Sequence, residues 1–163
     1  MTGFYPRELG MDETLPTSEQ FAAAAVNGRI GKGLKARVPF GRGSLLAHFV
    51  GVLSNRILQH TLQVTPNIHL HDPYFVGLLS HACAPNCVLD MARLEVWALT
   101  DIAVGDLLTI DYAMTEDTLF RQFPCICGAP GCRKWITGRR EALNDDGKAY
   151  LAKMAGCSGR NLR

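Results

Sequence analysis

The chain has 163 residues, of which 47% are hydrophobic and 20% charged, and its formal net charge is +2. A chain of this size can bury roughly two-thirds of its unfolded surface, so we expect a single soluble domain. No run approaches the roughly 18 consecutive apolar residues that span a membrane, and residues 1–7 lack the basic and then apolar pattern of a secretion signal. These features exclude the membrane class and predict an intracellular protein.

Charge is distributed unevenly along the chain. Residues 132–163 contain eight Lys or Arg and three Asp or Glu, a balance of +5, so the first 131 residues carry −3 of the total of +2. A basic tail of this kind can contact a nucleic-acid backbone. Its basic residues, however, are scattered among Leu143, Tyr150 and Leu151 without a series of aromatic residues. The pattern favours the solvated face of a helix, with no requirement for nucleic acid.

The first part of the chain contains an arm and one ambiguous element. Residues 1–19 include Pro6, Gly10 and Pro16 and show no hydrophobic period, so they are predicted to form an N-terminal arm. Residues 21–26 have helix-forming composition, but the Asn27-Gly28 pair that follows is the strongest short hairpin signal. Helix and strand therefore both stay open for this segment.

Short strand-like segments follow, and each is bounded by Gly, Pro, Asn or Asp. They are residues 34–38, 44–52, 61–70, 74–79, 87–89, 95–99 and 107–110. This spacing predicts a mostly β domain of small curved sheets. One helix is predicted over residues 137–154, and the chain shows no internal repeat, low-complexity tract or second-domain linker.

Four of the six cysteines are candidate ligands of one metal ion. Cys125, Cys127 and Cys132 form a Cys-x-Cys-x4-Cys pattern that is too compact for three independent core thiols. Three thiolates need one more ligand for a tetrahedral structural zinc ion, and Cys83 can supply it from a distant loop. Three disulfides in a secreted protein are the alternative, but a spacing of one residue suits a metal better. The other two cysteines are expected to be a buried thiol and a free thiol in the tail, Cys87 and Cys157.

Five motifs occur in an order that resembles one enzyme family. They are Gly31-Lys32-Gly33-Leu34-Lys35-Ala36, Phe49-Val50-Gly51, Ser80-His81-Ala82-Cys83-Ala84-Pro85-Asn86, residues 101–112 ending in Asp111-Tyr112, and the thiol segment. Each alone is weak, but together, over about residues 20–140, they resemble the SET-domain protein lysine methyltransferases that carry a post-SET zinc segment. The short segment between Asn55 and Tyr74 and residues 132–138 resemble most the compact bacterial members.

The resemblance implies a fold and a division of the chain. The expected fold is a mostly β SET-domain fold of small curved sheets with a knot-like C-terminal threading, a zinc-bound post-SET loop and a short C-terminal helix. It divides the chain into the arm at residues 1–19, a SET domain at 20–115, a post-SET zinc segment at 116–140 and a C-terminal helix and tail at 141–163.

The resemblance also implies an activity. The expected reaction is S-adenosylmethionine-dependent methyl transfer to the side-chain amine of a protein lysine, with donor and substrate entering from opposite faces. Holding amine and methyl group at near-attack distance makes the step effectively unimolecular. A nearby sulfonium cation lowers the pKa of the amine by like-charge repulsion, so no dedicated strong base is needed. A catalytically weak SET-like binding module and a zinc-stapled interaction protein are the alternatives.

Tyr112 matches the catalytic tyrosine of that family. Its phenol oxygen would orient the methyl group and stabilise the transition state. A core tyrosine is the other interpretation. Gly31, Lys32, Gly33 and Leu34 match the segment whose backbone amides approach the carboxylate of the donor, although the same residues would also suit a plain hairpin turn.

Ser80, His81 and Trp135 complete the donor site that the resemblance implies. His81 matches a histidine used through its backbone and for packing against adenine, and Trp135 matches a hydrophobic position that covers adenine. An ordinary core tryptophan is the alternative for Trp135. Ser80 stands where the family has an asparagine that binds the amino group of the donor, and Ala82 replaces a serine, so weakened donor binding is expected. Gly77 stands where many members carry arginine.

Two positions are expected to line the substrate channel without hydroxyl groups. Ile110 lies just before the Asp111-Tyr112 pair, where a tyrosine would restrain the amine, and Phe49 stands where many members place a channel tyrosine. An apolar wall leaves no hydrogen-bonding group unpaired when a methyl group is added. Methylation is therefore expected to pass beyond the mono stage, although the branched Ile110 side chain would oppose this by narrowing the channel. Asp111 is expected to be a structural hydrogen-bond acceptor.

The expected partner is a protein or peptide that bears the substrate lysine. The mildly acidic body favours a basic one, and no membrane partner is expected. Histones and endogenous bacterial proteins stay equally open as substrates. The resemblance to bacterial members implies a cytoplasmic location, with delivery to a host nucleus as the alternative.

Overall fold

The protein, a computed structural model that describes residues 3–10, 12–26 and 31–158, consists mostly of short strands. Within these residues there are twelve strands: β1 (Phe21–Ala25), β2 (Lys32–Ala36), β3 (Leu45–His48), β4 (Val52–Ser54), β5 (Thr61–Thr65), β6 (Ile68–His71), β7 (Ser80–His81), β8 (Cys87–Asp90), β9 (Glu95–Ala98), β10 (Thr109–Ile110), β11 (Phe123–Pro124) and β12 (Trp135–Ile136). The same residues form two α-helices, α1 (Tyr112–Thr115) and α2 (Asp145–Ser158), and two 3-10 turns, Arg7–Leu9 and Val76–Leu78. The predicted mostly β fold is confirmed.

The described strands form five small sheets. Two of them have three antiparallel strands, in the orders β3-β9-β8 and β4-β6-β5. The pairs β1-β2 and β11-β12 are also antiparallel. β10 instead lies parallel to β7, with Thr109 opposite Ser80 and Ile110 opposite His81. This parallel pair brings the Asp111-Tyr112 segment beside the Ser80-His81 segment, which lies about 30 residues earlier in the chain.

The ambiguous segment at residues 21–26 begins with a strand. Phe21 is fully buried and lies opposite Ala36 in the β1-β2 pair. Its ring stacks on Phe40 with centroids 5.5 Å apart, and a ring of this size gains most by being buried in a core. Tertiary packing therefore overrides the helix-forming alanines. The Asn27-Gly28 turn signal lies outside the described residues.

The predicted strand at residues 74–79 is wrong, because this segment forms the 3-10 turn Val76–Leu78. The buried Asp72 carboxylate accepts hydrogen bonds from the backbone amides of Tyr74, Phe75 and Val76, which holds the turn closed. Asp72 also accepts a 2.7 Å hydrogen bond from the Tyr5 hydroxyl. The N-terminal segment is therefore fastened to the turn that precedes β7.

Three other predicted boundaries change. The strand predicted at 44–52 is two strands, β3 and β4, and the one predicted at 61–70 is a hairpin of β5 and β6 that turns at Pro66-Asn67. The helix predicted at 137–154 begins only at Asp145. The Asn144 side chain accepts a 2.8 Å hydrogen bond from the amide of Gly147, as a helix N-cap does. Among the described residues, no helix is long and apolar enough to cross a membrane.

The buried apolar side chains form two clusters. The larger one lies between the sheets and includes Phe21, Leu34 and Phe49. The smaller one consists of Leu119, Cys125 and Ile136, with Cys83, Cys127 and Cys132 packed against it. Tyr112 packs against both clusters. It therefore lies where the segment that carries the thiols meets the body of the protein.

Candidate active site

A cavity of about 580 Å³ lies next to Tyr112. Its walls come from the start of β2, residues 57–62, residues 76–80 and residues 110–123. Five of the predicted site residues line it, namely Gly31, Lys32, Ser80, Ile110 and Tyr112. A volume of this size is ordinary for a small-molecule or cofactor site. The parallel pairing of β7 with β10 brings Ser80 next to Ile110 and Tyr112.

Tyr112 is held at both its backbone and its hydroxyl. Asp111 caps the helix that Tyr112 begins, because its carboxylate accepts a 3.1 Å hydrogen bond from the amide of Ala113. The Tyr112 hydroxyl donates a 2.7 Å hydrogen bond to the Leu79 carbonyl. Burial, with a smaller contribution from the Glu116 charge, raises the pKa of Tyr112 to about 12. The phenol therefore stays protonated at neutral pH, and its oxygen keeps free acceptor capacity.

The His81 ring braces Tyr112 and does not line the cavity. Its Nδ1 accepts a 3.3 Å hydrogen bond from the Tyr112 amide, which assigns the ring proton to Nε2, 3.5 Å from the Cys83 sulfur. Burial lowers the pKa of His81 to about 4, although the Asp111 charge opposes this shift. Nδ1 lies 3.8 Å from Asp111 Oδ1, but a neutral ring forms no ion pair there. The predicted backbone role toward the donor stays a prediction.

The two glycines of the predicted donor segment differ in their surroundings. A Cβ at Gly33 would lie 2.6 Å from Val26 Cγ2, 2.9 Å from Leu107 Cδ1 and 2.9 Å from Ser80 Oγ. Only a residue without a side chain lets β2 approach Ser80 this closely. A Cβ at Gly31 would meet nothing within 4 Å. Gly33 and Leu34 are buried under the cavity and do not line it.

Two further predicted site residues, Phe49 and Trp135, also lie away from the cavity lining. Phe49 is 1% exposed and belongs to the main core. Trp135 donates a 3.0 Å hydrogen bond from Nε1 to Gln122 and packs against Tyr150 of α2, with ring centroids 5.4 Å apart. This position agrees with the alternative of an ordinary packing tryptophan. The channel role of Phe49 and the adenine-covering role of Trp135 stay predictions.

The four predicted zinc ligands converge beside Tyr112. The sulfur atoms of Cys83, Cys125, Cys127 and Cys132 all lie within 4.8 Å of one another, and those of Cys83 and Cys125 are 3.9 Å apart. Sulfurs at about 2.3 Å from one tetrahedral zinc ion are about 3.8 Å apart, so this cluster can hold such an ion. The Arg133 amide lies 3.4 Å from the Cys83 sulfur, where it can donate to a thiolate.

Cys87 is separate from this cluster. Cys87 is 1% exposed in the main core, as predicted, and burial raises the pKa of its thiol to about 12. A thiol in this state is inert at neutral pH. The side chain of Cys157 lies outside the described residues.

Gly77, where the resemblance leads one to expect arginine, stands at a close backbone contact. A Cβ at this position would collide with the Asp72 carbonyl and would lie 2.7 Å from His60 Cβ. The Gly77 carbonyl is also 2.8 Å from His60 Nδ1. The space that a larger side chain would fill is thus occupied by His60, which brings the segment before β5 against the cavity wall. Glycine is required here by packing.

A polar clamp that the sequence did not reveal joins three segments around the cavity. It consists of Gln63, Glu116, Asp117 and Arg139. The backbone amide of Gln63 donates a 3.0 Å hydrogen bond to the Glu116 carboxylate. The Gln63 side chain donates a 2.8 Å hydrogen bond to the Asp117 carboxylate and accepts one of 2.7 Å from the Asp117 backbone amide. Arg139 donates hydrogen bonds to the same Asp117 carboxylate from its Nε and Nη2 atoms. The only local sequence signal is an adjacent acidic pair, which is common in loops.

No family model matches the chain, but curated relatives do. An H3 lysine-4-specific histone-lysine N-methyltransferase of Schizosaccharomyces pombe is 39% identical over 64 residues, which cover 36% of this chain and 7% of that protein. Human histone-lysine N-methyltransferase 2D is 32% identical over 80 residues, or 43% of this chain and 1% of that protein. The methyltransferase flvH of Aspergillus flavus is 30% identical over 83 residues, or 50% of this chain and 47% of that protein.

Solved structures share the fold. KRYPTONITE in complex with mCHH DNA, an H3(1–15) peptide and SAH has a TM-score of 0.56 at 22% identity, over 71% of this chain and 29% of that one. The methyltransferase domain of human SETMAR has a TM-score of 0.57 at 17% identity, over 72% of this chain and 58% of that one. The chain spans less than a tenth of the first curated relatives and half or less of flvH. The likeness to the first curated relatives thus concerns a small part of much larger proteins.

Proposed function

We infer that this chain, a SET-domain protein by its fold and its relatives, transfers a methyl group from S-adenosylmethionine to the side-chain amine of a protein lysine. The observation that carries this proposal is the position of Tyr112. Its hydroxyl is fixed on the Leu79 carbonyl at the wall of the cavity that Gly31, Lys32 and Ser80 also line. Tyr112 and the thiols pack against the same small cluster of Leu119, Cys125 and Ile136, so the thiol segment lies next to this tyrosine.

The residues present fit the donor, which supplies a methyl group bound to a cationic sulfur. Gly33 lets β2 lie against Ser80, and this contact places the exposed backbone of Gly31 and Lys32 at the mouth of the cavity. Backbone amides there can bind a carboxylate. The Ser80 hydroxyl can accept a hydrogen bond from an amino group, as the longer asparagine side chain would. Structures of KRYPTONITE in complex with SAH support a donor of this class.

The contribution of Tyr112 is positioning. Because its proton is directed to the Leu79 carbonyl, the free lone pairs of the phenol oxygen are available to orient an amine in the cavity. The neutral His81 ring and the Asp111 cap hold the Tyr112 backbone, so the phenol is fixed before substrate arrives. Preorganised groups of this kind act mainly by aligning reactants and stabilising developing charge.

The zinc ion has a structural role in this proposal. Four thiolates fill a tetrahedral zinc site and leave no open position for substrate. Cys83 follows the His81 loop directly, whereas the other three thiols belong to residues 125–132. One ion would therefore fasten the late segment against the loop that supports Tyr112. Loss of the ion would disturb the active site before the main core.

The acceptor is a lysine in a protein or peptide. The mild negative charge of the first 131 residues favours a basic segment, and the H3 peptide bound to KRYPTONITE is of this chemical kind. We also propose that methylation passes beyond the mono stage. Ile110, which lines the cavity and is 3% exposed, offers no hydroxyl to hold a water molecule against a partly methylated amine.

The test is methyl transfer from donor carrying a radiolabelled methyl group to a lysine peptide array and to purified histones. Wild-type protein is expected to label one or more lysines. Tyr112→Phe is expected to bind donor nearly as well and to lower kcat by roughly 100-fold, because a transition-state contact is removed. Tyr74→Phe, at a tyrosine that is 40% exposed and outside the cavity lining, is the matched control. Donor binding without transfer to any substrate would indicate a binding module instead of an enzyme.

A further inference from the structure

Glu116 is a buried acid in the wall of the same cavity. It is 7% exposed, and its side chain lies between β5 and the turn that follows α1. Its backbone amide donates a 2.8 Å hydrogen bond to the Tyr112 carbonyl, so the two residues stand one helical turn apart. Both line the cavity. Glu116 caps the C-terminal end of the helix that Tyr112 begins, so this short helix holds both residues at the cavity wall.

No cation within the described part of the chain forms an ion pair with Glu116. The nearby arginines, Arg139 and Arg140, are both bound to Asp117. The Glu116 carboxylate accepts a 3.0 Å hydrogen bond from the backbone amide of Gln63 and lies near the Thr115 hydroxyl, which itself donates to the Tyr112 carbonyl at 3.2 Å. A buried carboxylate without a cation is costly, and such groups are retained mainly where they serve a ligand. A cation that enters the cavity would supply the missing charge partner.

We propose that Glu116 receives the charged amine of the substrate lysine and accepts its proton before methyl transfer. This inference rests on the proposed function. It assigns a residue to the deprotonation of the amine, which would otherwise depend only on repulsion from the positive charge of the donor. One N–H bond of the ammonium breaks, its electron pair stays on nitrogen, and the proton moves to a Glu116 oxygen to give a neutral carboxylic acid. The acid returns this proton to solvent between turnovers, so each cycle releases one proton.

The electrostatic surroundings suit this exchange. Burial raises the pKa of Glu116 to about 7, although the Gln63 amide, the Thr115 hydroxyl and the Arg139 charge oppose the shift. An acceptor with a pKa near the working pH is ionised often enough to take a proton and basic enough to hold it. The charged and titratable groups facing Glu116 are Asp117 and Arg139 beside it, Tyr112 on its own turn, and Lys32, His60 and Arg121 on the other cavity walls.

The experiment compares pH profiles of kcat/KM for wild type, Glu116→Gln and Asp117→Asn. Wild type is expected to lose activity below about pH 7, the pKa of Glu116. Glu116→Gln keeps the hydrogen-bond acceptor toward Gln63 but lacks the base, so kcat should fall tenfold or more near neutral pH. The inflection near pH 7 should be replaced by a rate that keeps rising with the fraction of free amine at higher pH. Asp117→Asn removes a neighbouring charge that does not line the cavity, and it should keep the acid limb. Donor affinity, measured by calorimetry, should be similar in all three proteins.

A second substrate separates proton transfer from simple packing. A peptide with aminoethylcysteine in place of lysine carries a less basic amine, so it should partly restore the rate of Glu116→Gln. If Glu116→Gln fails to fold, Glu116→Asp provides the second variant, and it should keep the acid limb with a lower kcat. Wild-type activity with an inflection near pH 7 that persists in Glu116→Gln would overturn this role alone. A wild type that binds donor but methylates nothing would remove the proposed function and this step together.

Discussion

The guanidinium of Arg133 lies 2.5 Å from the carboxylate of Asp111 and joins the thiol segment to the cap of the helix that Tyr112 begins. The same Asp111 oxygen accepts the hydrogen bond from the Ala113 amide. The backbone amide of Arg133 in turn lies 3.4 Å from the Cys83 sulfur. Arg133 thus contacts both the cysteine cluster and the helix that Tyr112 begins. Asp111 is the structural hydrogen-bond acceptor that was predicted.

Arg133→Gln should separate these two contacts. The backbone contact with Cys83 survives the change, so zinc content should stay at one ion per chain. The ion pair is lost, and because the Arg133 side chain is 40% exposed, the effect on kcat should be modest, roughly threefold to tenfold. Arg93→Gln, at an exposed ion pair with Asp90, is the control and should leave kcat unchanged. Equal rates for both variants would show that the ion pair does not position Tyr112.

Cys127→Ser should abolish zinc binding while the main core stays folded. The thiols pack against the small cluster of Leu119, Cys125 and Ile136, which is separate from the larger core. Elemental analysis should give one zinc per chain for wild type and none for the variant. Thermal unfolding should show that the body still melts cooperatively, and donor binding should be weakened. Cys87→Ala also removes one thiol but should keep the metal, because Cys87 lies outside the cluster.

Gly33→Ala should reduce donor affinity. The new Cβ would lie 2.9 Å from the Ser80 hydroxyl and 2.6 Å from Val26, so β2 must move away from the cavity wall. Donor affinity should drop by roughly tenfold, or about 1.4 kcal/mol, while kcat at saturating donor changes less. Gly41→Ala is the control, since a Cβ there would meet nothing within 4 Å. An unchanged dissociation constant, measured by calorimetry, would falsify the donor assignment of this segment.

The pH dependence of stability checks the environment of Glu116 without any activity assay. Its pKa is raised from 4.5 to about 7 in the folded protein, mainly by burial. From pH 4.5 to about 7 the unfolded chain is ionised at this group while the folded one holds its proton, so stability is lost as the pH rises through that window. Relative to Glu116→Gln, wild type should lose on the order of 3 kcal/mol between pH 4.5 and pH 8. Urea unfolding of both proteins across that range measures the difference, and a constant difference would show that burial does not perturb this carboxyl.

Local spacing explains which parts of the site could be predicted from the sequence. The thiols at Cys125, Cys127 and Cys132 are close in sequence and must be close in space, and motif order supplied Cys83 and Tyr112. The pairing of Gln63 with Glu116 could not be found this way, because 53 residues separate them and neither type is diagnostic. Residues 74–79 form a turn instead of a strand because the buried Asp72 carboxylate binds their backbone amides. The burial of Asp72 could not be predicted from the composition of the segment.

The placement of Phe49 illustrates a second limit. Motif order locates Phe49 along the chain, just after β3, but the direction of its ring depends on neighbours far away in the chain. Here the ring lies in the main core, and its amide is bound to the Leu94 carbonyl at 2.9 Å. Trp135 is similar, because its contact with Tyr150 depends on where α2 packs.

Ile110→Tyr should restrict the number of methyl groups added. Ile110 is 3% exposed, lines the cavity and precedes Asp111 directly, so a hydroxyl placed here would face the amine. Wild type should form di- or trimethyl-lysine, because an apolar wall loses no hydrogen bond when a methyl group displaces water. In the tyrosine variant that displacement leaves a hydroxyl unpaired, so the monomethyl product should accumulate.

Mass spectrometry of a time course under saturating donor measures this product distribution. Ile110→Val is the control, because it keeps an apolar, branched side chain at the cost of one methylene, and it should retain the higher methylation states. Overpacking by the larger tyrosine would lower the total rate without changing the ratio of products, so the ratio is the decisive quantity. Wild-type product that stops at one methyl group per lysine would show that the branched shape of Ile110, and not the absence of a hydroxyl, sets the limit in this channel.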